Sequence, residues 1–294
     1  MDADSADAFS GFNLYGYVPT LGVCVMYVLL FGASFALHCY QTVKSRYWFL
    51  AATVLPAGVL EIVGWAGRLA SSRDITPRNP YIIQSTVLVL APTFLLAAHF
   101  IVFGRIVTLL GTDYSRLRPK FYTIIFLGGD IISLFTQGAG GGLAATAKDD
   151  SKLGVNLLLV GIGIQVVMIG AFSILAVEYT VRHIRDRPHK SANSNSERAP
   201  LDAPRKTLLL TLATTTSLLF IRGIYRLIEL SGGLDSPIAK TEWPFIVFEG
   251  ATIFLVFAIW NIGHPAKYLE GRPPRSEGYN DVMLAEAGGP KTHY

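Results

Sequence analysis

Long apolar runs separated by short polar or charged segments alternate along this chain from residue 17 to residue 263. A helix that crosses a bilayer needs about 20 mostly apolar residues, because the hydrocarbon layer is about 30 Å thick and each residue rises 1.5 Å. Seven stretches meet that demand: 17–40, 48–70, 81–110, 121–145, 153–180, 206–231 and 243–263. The third and fifth are long enough to require tilt. Pro56 and Pro92 fall inside spans, where neighbouring helices in a bundle can accommodate them. Tyr17, Trp48, Tyr81, Tyr122, Tyr179, Trp243 and Trp260 stand where aromatic residues mark the interfaces. The pattern predicts an all-α polytopic membrane protein: a short tail over 1–16, a seven-transmembrane-helix bundle over 17–264, and a disordered tail over 265–294.

Composition supports this reading. Of 294 residues, 51% are apolar and only 16% are charged, against about 25% charged in a soluble domain. Mean hydropathy is +0.42. Soluble, disordered and fibrous classes are thereby excluded. The net charge of +4 is no nucleic-acid signal, because the basic residues lie at membrane edges. Segments 41–47, 111–120, 181–206 and 264–294 carry sixteen Lys and Arg, against five in 1–16, 71–80, 146–152 and 232–242. That asymmetry predicts an extracellular N-terminus and a cytosolic C-terminus. The start is acidic, with Asp2, Asp4 and Asp7, and has no signal-peptide pattern. The expected location is the plasma membrane, with the endoplasmic reticulum or vacuolar membrane as alternatives. The stretch 181–205 is polar and Pro-containing, and is expected to be a flexible cytosolic loop. Cys24 and Cys39, about 22 Å apart on one helix, cannot bridge each other.

Ionisable groups within the spans carry the candidate chemistry. Glu61 and Arg68 lie on span two, and Arg222, Tyr225, Arg226 and Glu229 on span six. Asp130, Ser133 and Gln137 form a stripe on span four, with Gln84 on span three and Glu249 on span seven. Spacings of three, four and seven residues put each set on one helical face. With the N-terminus outside, the set falls at or beyond the midplane toward the outer leaflet. A charge at a helix centre costs about 2.5–3.5 kcal/mol, so these groups must face inward and pair. Four acids (Glu61, Asp130, Glu229, Glu249) nearly balance three arginines. Two readings stand: a polar, partly hydrated cavity open toward the outer leaflet that holds an amphipathic head group, and an ion-pair clamp joining spans two, six and seven.

Enzyme signatures are weak. The run Gln137-Gly-Ala-Gly-Gly-Gly142 lacks the Lys-Ser/Thr of a phosphate loop and reads as close helix packing or a local break in span four, and Gly161, Gly163 and Gly170 read as packing residues on span five. His38, His99 and His264 sit toward the cytosolic ends of their spans. They could form a zinc-dependent lipid hydrolase, but they lack any local ligand pair and read better as interfacial histidines. No Gly-x-Ser-x-Gly elbow occurs. No catalytic residue, metal or cofactor is assigned.

Glu61-x-x-Gly-Trp-x-x-Arg68, Tyr81-x-x-Gln84, Ala91-Pro92, Ala97-Ala98, Gly104-Arg105, Asp130-x-x-Ser133-x-x-x-Gln137-x-x-Gly140, Arg222-x-x-Tyr225-Arg226-x-x-Glu229, Glu242, Glu249 and His264-Pro265 follow in order. Over roughly residues 15–268 this pattern resembles the fungal lipid-translocating exporters, the RTA-type resistance proteins. Trp65 stands where that family has Tyr, and His99 where Tyr is common; both departures bear on substrate choice. The resemblance implies export or flipping of amphipathic lipids such as sphingoid bases, resistance to sterol-like toxicants, and porphyrin handling, with a lipid or amphipathic small molecule as partner. It carries over no ATP-binding motif, and none occurs here. A seven-helix lipid sensor or receptor is the alternative, although span three ends in Gly104-Arg105 rather than Asp-Arg-Tyr and span seven carries Asn261-Ile-Gly-His-Pro265 rather than Asn-Pro-x-x-Tyr.

Overall fold

A computed structural model describes residues 15–146, 152–189, 199–232 and 236–269. Among these residues the regular structure is entirely helical, as hydrocarbon surroundings require, since only a helix satisfies its own backbone polar groups within one segment. Six spans are continuous: α1 (Leu21–Ser45), α2 (Trp48–Arg73), α3 (Arg78–Leu110), α4 (Pro119–Thr146), α5 (Lys152–Ile184) and α6 (Ala203–Ser231). The seventh, Glu242–Tyr268, is composite. It starts as α7 (Glu242–Phe245), widens into a π-helical segment (Ile246–Ala251), resumes as α8 (Thr252–Ile262), and ends in the short α9 (Ala266–Leu269). All seven are long and apolar enough to cross a membrane. The protein is an integral membrane protein.

Helix ends differ from the sequence expectation where local chemistry intervenes. The first helix begins at Leu21 rather than 17, after Pro19 and an extended Thr20, and runs to Ser45 before Arg46 stops it at φ 56°. α5 continues to Ile184, so the start of the stretch expected to be flexible is helical. Just beyond it, the Tyr114 hydroxyl bonds Asp186 at 2.5 Å and the His189 N–H donates to the Asp113 carbonyl at 2.8 Å. The tail expected to be disordered from 265 begins instead with α9. Residues 1–14, 190–198 and 270–294 of the expected tails and loop lie outside the described residues.

Successive spans pack as antiparallel neighbours, and the seventh closes against α1 and α6. α3 is the most enclosed: Leu95, Leu96, Ala98, Phe100 and Val102 have no exposed surface. Edge-to-face rings of Phe100, Phe103, Tyr122, Phe126 and Phe172 lock α3, α4 and α5 together at 4.9–5.5 Å. The perimeter is the reverse of a soluble protein's surface, with Leu29, Phe135, Val167 and Ile174 exposed for lipid. The segment before α1, the α2–α3 connection, the end of α4 and start of α5, and the end of α6 and start of α7 share one end of the bundle, the N-terminal end.

Candidate functional site

Near the N-terminal end, Arg68 of α2 is fully buried. It donates to the Tyr17 hydroxyl at 2.9 Å and to Glu242 Oε1 at 3.0 Å. Rings of Tyr15, Tyr17, Trp65 and Phe245 surround the guanidinium at 5.5, 5.4, 5.9 and 4.5 Å, a cation–π box. Glu242 also accepts from the Thr20 N–H at 2.8 Å and the Thr20 hydroxyl at 2.6 Å, which places an anion at the start of α1, where the helix dipole favours one. Residues 15–20 thus cross the bundle end as a strap. Its Tyr15 hydroxyl donates to Gln84 Oε1 at 2.7 Å and lies 3.0 Å from Ser71 Oγ.

Seven residues before Arg68, about 10 Å deeper, Glu61 faces a second cluster. Arg222 of α6 forms an ion pair with Glu249 and donates to the Leu88 carbonyl at 2.9 Å. Arg226, one turn on, pairs with Glu229 at 2.8 Å and approaches Glu249 at 3.9 Å. Tyr225 donates to Glu229 at 3.0 Å and stacks on Phe248. Glu249 lies in the π-helical segment. Such wide turns leave backbone groups out of α register and frequently occur at functional sites. Gly250 beside it has no room for a side chain, because a Cβ would meet the Tyr27 and Trp65 rings at 2.6 and 2.8 Å. Those two rings stack at 4.2 Å and close the cluster from α1 and α2.

Glu61 itself is fully buried, and neither carboxyl oxygen makes a hydrogen bond. The Trp65 indole N–H lies beside it but outside hydrogen-bonding geometry. Glu249 and Arg222 are within electrostatic reach. Joined, the two clusters hold four acids (Glu61, Glu229, Glu242, Glu249) and three arginines (Arg68, Arg222, Arg226). Every ion-paired side chain among these is at most 18% exposed. The groups close on one another instead of lining an open cavity.

The span-four stripe stands apart. Ser133 Oγ donates to the Gly161 carbonyl at 2.6 Å, and Gln137 Nε2 donates to Ser133 Oγ at 2.6 Å. Both belong to the α4–α5 seam, where a Cβ on Gly161 would meet the Ser133 carbonyl at 2.9 Å. Asp130 is buried there without a hydrogen bond. Gln84 joins the strap.

The three histidines do not converge. His99 is bound by the Leu95 carbonyl and the Thr215 hydroxyl, each at 2.7 Å, and His38 by the Phe257 carbonyl at 3.2 Å. The His38 and His264 rings are 6.5 Å apart. No group of three His, Cys, Asp or Glu fit to hold a metal occurs among the described residues.

Sequence reasoning placed Glu242 and Trp65 in a motif and Tyr17 at an interface but gave none of them a site role, and it missed Tyr15, Tyr27 and Phe245 altogether. Glu242 begins a span and reads as a boundary residue. Its signal is its position facing the end of span two across the bundle, which spacing within one helix does not display.

A family model described as RTA1 like protein matches residues 54–272. Among curated proteins, Protein RTA1 of Saccharomyces cerevisiae is 32% identical over 283 residues, covering 88% of this chain and 86% of that one. The Sphingoid long-chain base transporter RSB1 of the same species is 27% identical, covering 88% and 75%. Its Protoporphyrin uptake protein 1 is 28% identical, covering 86% and 92%. No solved structure matches the chain.

Proposed function

This chain belongs to the RTA1-like family, and from that premise we propose that it is a transporter, and not an enzyme, exporting or flipping amphipathic lipids with a cationic or zwitterionic head group. One observation carries the reading. In a buried network where each arginine has a carboxylate partner, Glu61 is the carboxylate left without a hydrogen bond. Four acids against three arginines leave Glu61 without a counter-ion. A buried unpaired charge costs several kcal/mol, so this closed packing suits the neutral Glu61 acid, which takes up its charge when a cation arrives to complete the network. The amine of a sphingoid base supplies one on a long apolar tail, and one relative bears a sphingoid base in its name.

In this reading the N-terminal end is outside, the C-terminus cytosolic, the network in the outer half and the membrane the plasma membrane; the excess of Lys and Arg on the other set of connections supports the orientation. The closed packing is then one end-state of transport. Opening the strap and the π-helical segment of span seven admits the amine to Glu61 and Glu249 in exchange for Arg222, and the apolar tail remains among lipid. Arg226 and Glu229 hold the neighbouring pair in place.

Purified protein in vesicles carrying a fluorescent sphingoid base on one leaflet tests this. Loss of protection from a membrane-impermeant quencher, at a rate that follows the protein-to-lipid ratio, is expected. Saturable binding with no change of leaflet would overturn transport and favour a lipid sensor.

A further inference from the structure

Of the polar set, Asp130 is the ionisable group that the ion-pair network leaves out. It lies near the middle of α4, is fully buried, and neither carboxyl oxygen has a hydrogen-bond partner. α4 and α5 interlock on either side of it: Ser133 bonds the Gly161 carbonyl on one side, and Gly129 sits against the Met168 side chain on the other. The α5 stretch between those contacts, 161–168, carries Gln165 and no ionisable residue. The Gln165 amide is directed instead to Thr93 of α3 at 3.4 Å. On α3, residues 88–100 offer His99 as their one ionisable group, and both its ring nitrogens are engaged. The α6 arginines are committed to Glu229, Glu249 and the Leu88 carbonyl. No cation on these stretches of α3, α5 and α6 is left to pair with Asp130.

A carboxylate buried without a counter-ion or a donor carries a penalty of several kcal/mol. This packing therefore suits the neutral acid. Loss of the proton leaves a charge that the α3–α4–α5 junction cannot solvate, and favours any arrangement that opens the junction to water. Protonation of one group thus selects between two packings of the same helices, which is what a coupling site requires.

We propose that Asp130 is a proton-binding site that couples lipid export to a proton gradient, distinct from the head-group site at Glu61 and Glu249. This rests on the transport reading above. A proton from water on one side binds the Asp130 carboxylate and is released to water on the other, and one cationic lipid moves in the opposite direction. One positive charge crosses each way, so the exchange is electroneutral.

Vesicles containing the purified protein and a fluorescent N,N,N-trimethyl sphingoid base test it, because a quaternary head group cannot cross as a free amine. The base is expected to accumulate on the acidic side, approaching about tenfold per pH unit for one-for-one exchange, and to ignore a potential imposed with potassium and valinomycin. Asp130→Asn keeps the shape of the neutral acid, and should retain gradient-independent exchange while losing accumulation. Infrared difference spectra of wild type minus Asp130→Asn give a readout free of activity: at neutral pH they should show the carbonyl stretch of one protonated carboxyl that the variant has lost, while the band Glu61 contributes to both cancels. Movement of the base that ignores the pH gradient, accumulation driven by potential, accumulation undiminished in Asp130→Asn, or absence of that difference band would each overturn the coupling site while leaving transport intact. No movement under any condition would overturn the transport reading itself.

Discussion

The Glu242 carboxylate accepts a hydrogen bond from buried Arg68 at 3.0 Å and, at the same time, two from Thr20 at 2.8 and 2.6 Å. One side chain therefore ties the end of α2 and the start of α1 to the start of the seventh span. Glu242→Ala strands a wholly buried guanidinium and is expected to cost about 3 kcal/mol, the lower end for breaking a buried pair, because Glu242 keeps some contact with water. Thermal unfolding in detergent measures it. The Arg68→Ala/Glu242→Ala double variant should lose less than the two single losses added together; strict additivity would contradict the pairing.

The strap gives a second expectation. Tyr15→Phe removes a buried hydroxyl that bridges Gln84 and Ser71, for a loss of about 1 kcal/mol. Burial pushes that hydroxyl up from the ordinary 10 to about 12. A raised value means the neutral phenol is favoured in the folded state. Its contribution is whole below pH 10 and is lost as pH climbs through about 12. Melting curves between pH 9 and 11 should therefore show wild type losing its advantage over Tyr15→Phe, and a constant gap would count against the bridge.

How much of this was legible beforehand depended on distance along the chain. Apolar runs sufficient to cross a bilayer gave seven helices, because in lipid no other open structure satisfies the backbone. The i, i+3, i+4, i+7 spacing on span six put Arg222, Tyr225, Arg226 and Glu229 on one face, and they do share one network. Partner choice was not legible. Arg68 pairs with Glu242 and Asp130 sits on the α4–α5 side of the bundle; which faces meet depends on the rotation of each helix about its own axis, and that is set by contacts between spans rather than by spacing within one. The widened turn around Glu249 likewise has no periodic signature, since Ile246–Ala251 reads as ordinary apolar helix.

The α4–α5 seam depends on the absence of a side chain. A Cβ on Gly161 would meet the Gln137 side chain at 2.5 Å and the Ser133 carbonyl at 2.9 Å. Gly161→Val should force the helices apart and cost about 1–3 kcal/mol. Gly163→Ala, with nothing within 4 Å of its Cβ position, is expected to be neutral or slightly stabilising. Unfolding midpoints of the two purified variants compare them directly, and equal midpoints would contradict the close seam.

Orientation has its own test. In a background lacking Cys24 and Cys39, Ile238→Cys on the α6–α7 connection should react with an impermeant maleimide added to intact cells, and Arg187→Cys beyond α5 should react only after permeabilisation. The reverse pattern would invert every assignment of depth.

The central claim is that the excess carboxylate at Glu61, with Glu249, receives a cationic head group. The most direct measurement is the initial rate at which vesicles of wild type, Glu61→Gln, Glu249→Gln and Arg226→Gln move the fluorescent trimethyl sphingoid base between leaflets, normalised to folded protein. Losing one partner of a buried charge pair costs about 2–5 kcal/mol, so Glu61→Gln and Glu249→Gln should slow movement tenfold or more, and Arg226→Gln should slow it less. Wild-type rates in Glu61→Gln, or a greater loss in Arg226→Gln than in Glu249→Gln, would contradict the account.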